Sequence, residues 1–467
     1  MEFERIVKDG VVVTVDGSVK ADVGIVGEEI AAIGPDLPTE GAQLIAAENC
    51  FVLPGCIDVH THLDDAYDGL RTSDDFESGT IAAAWGGTTT IIDFATQLRG
   101  QSLQEGLDAW HQKAESRASI DYAFHLIISE VSQKHLGDVS GMVSSEGVTS
   151  FKLFMAYPGT FMLDDSAILK MLLQTRENGG LVCLHAENGG IIDVLVNQAL
   201  SEGHSAPKFH ATTRPMNTEI EATRRAIVLS EIAGVPIYIV HLSAAGALRE
   251  VREARDRGLP VYAETCPQYL FLSDEEYERP EFDGAKYVMA PPLRPLGNEI
   301  ELWKGLADND LQIVSTDHSS FCFHDPTGKQ LGRNNFANIP FGAPGIENRL
   351  ELMHQGGVNE DRLTLERLVD VLSTTPAKMF GLYPRKGDLR VGSDADLVIF
   401  DPRKKKVISS DTHHMQVDYN AYEGTEVCGA VKTVLLRGET IVEDNQFRGK
   451  AGAGKFLKRV PVDLGNR

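Results

Sequence analysis

The sequence predicts an α/β chain, a (β/α)8 barrel carrying a small β domain assembled from both ends. Three observations carry this. The middle of the chain alternates apolar, strand-like runs with amphipathic helical ones, the mark of a parallel sheet. Eight such strands can be counted, and eight strand–helix units make a closed barrel the economical arrangement. Short strands with glycine turns gather near both termini, in a texture unlike the middle.

In chain order, Ile6-Val7-Lys8 and residues 11–15 flank Asp9-Gly10, a hairpin signal. Asp16-Gly17 ends the second strand, and 21–26 and 29–34 continue the pattern. The barrel strands are expected at 51–59, 88–95, 122–129, 149–154, 180–185, 235–241, 260–265 and 311–315. Helical stretches fall between them, at 81–86, 166–177 and 219–233. Residues 273–297, rich in Asp, Glu, Pro and Gly, read as an insertion after the seventh strand. A long loop, 320–345, follows the eighth, where function usually gathers. Short strands with glycine turns return at 386–389, 395–400 and 431–438. The expected division is a small β domain of residues 1–52 and 385–467, C-terminal tail included, around a catalytic barrel of 53–384.

Composition narrows the function. The 467 residues are 42% hydrophobic and 24% charged, ordinary for a globular protein. A net charge of −24 argues against general nucleic-acid binding, which needs a basic surface. The six cysteines stand singly, with no Cys-x-x-Cys, and read as buried reduced thiols of a cytoplasmic protein. Met1-Glu2-Phe3-Glu4-Arg5 does not read as a signal peptide, and no apolar run is long enough to span a membrane.

Chemistry-bearing residues stand at the strand ends. In a strand, residues i and i+2 share a face, so His60 and His62 project together from the first. Two neutral imidazoles placed so can hold one metal. Lys152 ends the fourth strand, His185 the fifth, His241 the sixth and Asp317 the eighth. Each alone has an ordinary reading as a core histidine, a strand-end cap or a surface aspartate. Six at the face where such barrels place their active sites do not. Lys152, between Phe151 and Leu153, is costly to bury as a cation. Burial lowers its pKa, and a neutral amine can take up carbon dioxide as a carbamate whose two oxygens could bridge two metals.

With the ligand series His60-x-His62, Lys152, His185, His241, Asp317 in place, the chain resembles the hydantoinase and dihydropyrimidinase family of the binuclear amidohydrolase superfamily. The supporting stretches are Pro54-Gly55-Cys56-Ile57-Asp58-Val59-His60-Thr61-His62-Leu63, Gly86-Gly87-Thr88-Thr89-Thr90, Phe151-Lys152-Leu153-Phe154-Met155-Ala156-Tyr157, His185-Ala186-Glu187-Asn188, Glu264-Thr265-Cys266-Pro267-Gln268-Tyr269-Leu270 and Pro291-Pro292-Leu293-Arg294. The resemblance implies a TIM barrel with a β-sandwich domain from both termini. It implies two metals, commonly zinc, bridged by carbamylated Lys152 and by hydroxide. His60, His62 and Asp317 would hold one metal, and His185 and His241 the other. Asp317 would shuttle the proton and Tyr157 would donate to the oxyanion. The substrate would be a small cyclic diamide, a hydantoin or dihydropyrimidine, opened to an N-carbamoyl amino acid by a homotetramer or dimer.

The chain also departs from the family. The loop Leu63-Asp64-Asp65-Ala66-Tyr67-Asp68-Gly69 is unusually acidic, and Asp64, Asp65 and Asp68 are expected near the entrance. Tyr67, Phe154 and Phe161 are expected as apolar walls. Ala290 replaces the family's substrate-contacting serine, and Phe341 its asparagine. Mainly backbone groups act at those two places in the family, so both stay candidate substrate-binding positions. Other readings are an allantoinase, a dihydroorotase or a non-catalytic dihydropyrimidinase-like scaffold. Dihydroorotases usually carry an Arg where Asp64 stands, and scaffolds lack the ligands.

Overall fold

The computed structural model describes residues 2–67 and 69–465, with Tyr67 described in its backbone alone; Asp68 lies outside the described residues. The first strands are β1 (Arg5–Thr14), β2 (Gly17–Val26), β3 (Glu29–Gly34), β4 (Gln43–Ala46) and β5 (Phe51–Pro54). The barrel strands are β6 (Cys56–Thr61), then, past the small hairpin β7 (Ala66–Tyr67) and β8 (Leu70–Arg71), β9 (Thr88–Gln97), β10 (Asp121–Ile128), β11 (Ser150–Phe154), β12 (Leu181–His185), β13 (Ile237–Ile239), β14 (Val261–Thr265) and β15 (Ile313–Val314). The chain returns through β16 (Leu397–Val407), β17 (Glu426–Leu436), β18 (Glu439–Glu443) and β19 (Gln446–Phe447).

The eight barrel strands pair in chain order, all parallel, from β6 to β15. The seam between β15 and β6 is closed by side chains. Thr316 donates from its amide and hydroxyl to the Asp58 carboxylate, at 3.1 and 2.6 Å. Buried Arg349 donates to the carbonyls of Ile57 and Val314, both at 2.9 Å. The second sheet runs β19-β18-β17-β16-β5-β1-β2-β3, with β4 on β1, so strands from both ends interleave.

Three expected elements differ. Residues 386–389 form no strand, bending at 386–388, with Lys386 drawn to the carboxylates of Asp121, Asp394 and Asp396. The run 51–59 is two strands in two sheets, broken at Gly55. A Cβ there would lie 2.1 Å from Thr89 Oγ1, so only glycine lets the chain cross. The Gly55 amide donates to Asp396 O (2.9 Å). Asp9-Gly10 is no hairpin turn. β1 runs through it with a register shift, Asp9 at φ 63°, and the Asp22 carboxylate accepts the Asp9 amide. The turn falls at Val15-Asp16 instead, with Thr14 paired to Gly17.

The sheets are fastened by buried charge. Lys386 Nζ lies 2.6, 2.7 and 2.9 Å from the carboxylates of Asp121, Asp396 and Asp394, and Arg437 also donates to Asp121. The tail runs under the barrel. The Leu457 amide donates to Tyr122 O (2.7 Å), and Leu457 and Leu464 pack beneath Tyr238, Tyr262 and Phe380. That closes the N-terminal end and leaves the C-terminal end for a site. The six cysteines are free, four of them buried. Among the described residues no helix is long and apolar enough to cross a membrane.

Candidate metal centre

The strand ends converge on one cavity of about 510 Å³, lined by His60, His62, Lys152, Tyr157, His185, His241, Ala290, Asp317 and Phe341 among others. His60 Nδ1 lies 2.5 Å from Glu264 Oε1. A carboxylate only accepts, so Nδ1 carries the proton and Nε2 keeps its lone pair. That Nε2 is buried, has no hydrogen-bond partner among the described residues, and lies 3.1 Å from Asp317 Oδ1. A lone pair facing a carboxylate oxygen is repulsive unless a cation lies between them. His62 Nε2 points at the same oxygen from 3.5 Å.

The other side repeats the arrangement. His185 Nε2–H donates to Glu187 Oε2 at 2.9 Å, turning Nδ1 toward His241 Nε2, 3.0 Å away. Single ligand atoms from His60, His241 and Asp317 all lie within 4.8 Å of one another. His241 Nδ1 is buried without a partner. These orphaned acceptors fit divalent cations, which imidazole and carboxylate ligands hold well. Lys152 reaches the same point from β11. It is 1% exposed and makes no hydrogen bond or ion pair with a described residue; its Nζ sits 4.8 Å from the Phe94 ring and 5.1 Å from Phe154. Burial pushes its amine down to about 8, so a neutral fraction exists near neutral pH.

Several supporting residues escaped the sequence reading. Glu264 holds His60 and also accepts from Tyr238 Oη (2.8 Å) and the His241 amide (3.2 Å). Arg214 donates to Glu187 at 2.8 Å; burial alone would raise that carboxyl, but Arg214 and His185 hold it at about 2. Their motifs were visible, yet nothing in spacing says which histidine a distant carboxylate will reach. Tyr157, His241 and Asp317 all adopt left-handed backbone, φ 66°, 38° and 52°, a strain that accumulates at working sites. Tyr157 stands over the cavity with its ring 5.2 Å from His185 and 6.2 Å from Phe341.

Of the acidic-loop carboxylates expected near the entrance, Asp64 and Asp65 are both buried, and Asp68 lies outside the described residues. Asp64 is buried and turned away from the cavity, its Oδ1 accepting from Arg71 Nη2 at 2.7 Å. Asp65 is buried in the cavity wall, its Oδ2 3.4 Å from His62 Nδ1. Phe154 and Phe161 line the cavity as expected. So do Leu70 and Ile127, which the sequence did not single out.

A parallel barrel that gathers imidazoles, carboxylates and a buried lysine at the C-terminal ends of its strands is built as a metal-dependent hydrolase. The profile of the amidohydrolase family, a binuclear-metal family, matches residues 51–441. A D-hydantoinase of Streptomyces coelicolor is 50% identical over 465 residues, 98% of each chain. The solved D-hydantoinase of a Bacillus species superposes with a TM-score of 0.97 at 48% identity, covering 98% of this chain and 100% of that one. The solved dihydropyrimidinase of Brevibacillus agri gives a TM-score of 0.97 at 47% identity, over 98% and 99%. The chain belongs to the amidohydrolase family and, within it, to the hydantoinase/dihydropyrimidinase family.

Proposed function

We propose that the chain hydrolyses the ring amide of hydantoins and dihydropyrimidines, adding water across the C–N bond to give N-carbamoyl amino acids. The observation that carries this is the convergence of His60 Nε2 and Asp317 Oδ1, two acceptors 3.1 Å apart, beside Lys152, His185 and His241. In our reading His60, His62 and Asp317 hold one metal, His185 and His241 the other, and carbamylated Lys152 serves both. The donor set suits zinc. When bound, two such cations would supply carbonyl polarisation and lower the pKa of water toward neutral pH.

The chain's own residues do the rest. Asp317 accepts the proton of the attacking water and returns it to the departing ring nitrogen. Tyr157, held in left-handed backbone at the rim, donates to the carbonyl oxygen as charge builds. Ala290 and Phe341 line the cavity where their backbone groups can hold the ring. A scaffold without catalysis has no use for this convergence. The relatives named D-hydantoinase favour the D configuration, which single enantiomers test. The small sheet of both termini is read as a domain around the barrel, in a cytoplasmic homotetramer or dimer. Six free cysteines suit that compartment, and exposed Val228 and Ile232 offer apolar surface for a second copy.

The test is kcat/KM across dihydrouracil, hydantoin, 5-substituted hydantoins, allantoin and dihydroorotate. Neutral rings should be turned over and anionic dihydroorotate poorly. The reading fails if dihydroorotate matches or exceeds hydantoin and dihydrouracil. Tyr157→Phe should keep its metals and lose roughly 10²–10³ in kcat, the cost of one oxyanion donor. A loss under about threefold would return Tyr157 to packing.

A further inference from the structure

The loop after His62 is held from outside and turned inward at one residue. The Lys113 ammonium donates to Asp64 O at 2.7 Å, and the Asp64 amide donates to Asp74 O at 2.8 Å. Asp65 is tied to Thr72 on both sides, its amide donating to the Thr72 hydroxyl and its carbonyl accepting the Thr72 amide, both at 3.0 Å. This backbone clamp leaves the side chain little choice of place. The Asp65 side chain is only 7% exposed, and among the described residues its one ion-pair neighbour is His62. Its Oδ1 is buried and has no hydrogen-bond partner among the described residues. A buried carboxylate oxygen without a donor is unfavourable.

The same cavity is also lined by the apolar side chains of Leu70, Ile127, Phe154 and Phe161. One carboxylate set among aliphatic and aromatic side chains matches an amphipathic group, with an alkyl stem on the wall and a charged head at its end. The two phenylalanine faces also attract a cation. The His62 ring lies 3.4 Å from Asp65 through Nδ1 and 3.5 Å from Asp317 through Nε2, which puts Asp65 within reach of a substituent on a ring held at the centre.

Resting on the hydantoinase reading, we propose that Asp65 is a specificity-determining residue that anchors a cationic substituent of the ring, an ammonium or guanidinium on a short aliphatic stem. The preferred substrates are then hydantoins of basic amino acids, not those with aryl or plain alkyl groups.

The test compares kcat/KM of the metal-loaded enzyme for two hydantoins of equal side-chain length, one carrying an aminobutyl group and the other pentyl, with hydantoin itself as reference. Each ratio is taken within one enzyme, so any effect of Asp65 on His62 cancels. The amine should be favoured by about tenfold or more. The ratio should fall in Asp65→Asn and drop below one in Asp65→Leu. A wild-type ratio of one or less overturns the proposal, as does a ratio unchanged in Asp65→Asn; both hold even if Asp65→Leu does not fold. No turnover of unsubstituted hydantoin would overturn the function itself, and the proposal with it.

Discussion

Lys152→Ala loses metal and activity together. The lysine comes from the middle of a fully buried strand, and its Nζ makes no hydrogen bond or ion pair with a described residue. A group so placed for packing alone would be replaceable by an apolar side chain at little cost. On the proposed reading, a carbamate here would be shared by two cations, and its removal should take both. Outer partners of metal ligands cost up to about 100-fold, so a shared inner ligand should cost more. Elemental analysis should find two metals per chain in the parent and fewer in the variant, with kcat/KM down by more than about 100-fold. Labelled bicarbonate should enter a carbamate carbon in the parent alone. One tightly bound metal in the active parent, or an active Lys152→Ala, defeats this.

Lys386→Met strongly destabilises the fold without touching the site. The Lys386 ammonium is the shared partner of Asp121, Asp394 and Asp396, and it is 1% exposed. Removing it leaves carboxylates facing one another with Arg437 as the remaining buried cation. Breaking a buried pair from one side costs about 3–5 kcal/mol. Neighbouring Arg385 pairs with Asp394 from a position 52% exposed, and such pairs contribute about 1 kcal/mol at most. Urea midpoints should therefore fall far more for Lys386→Met than for Arg385→Met. Equal shifts would mean that the cluster does not fasten the two sheets.

The barrel and the convergence of the six strand-end residues were legible because both follow from periodicity. Apolar runs mark the parallel strands, and each polar residue just past a run must lie at the same end. What escaped depends on contacts between distant parts. Gly55 splits one apolar run because Thr89 leaves no room for a side chain, which no local pattern announces. Asp9-Gly10 has hairpin chemistry, yet Asp22 captures the amide and the strand continues. Asp64 and Asp65 are identical neighbours in sequence with opposite fates, since Arg71 takes one and the cavity wall takes the other. Charge alone could not tell them apart.

The position of β5 sets an order of assembly. This four-residue strand lies between residues 11–12 of β1 and residues 397–400 of β16. One neighbour is close in sequence, while the other arrives only after the whole barrel has been traversed. Such non-local pairing raises contact order and slows folding. Until β16 arrives, β5 has a bare edge of unpaired amides and carbonyls that another molecule can extend. Because β5 continues through Gly55 into β6, that late pairing also completes the anchorage of the strand that carries His60.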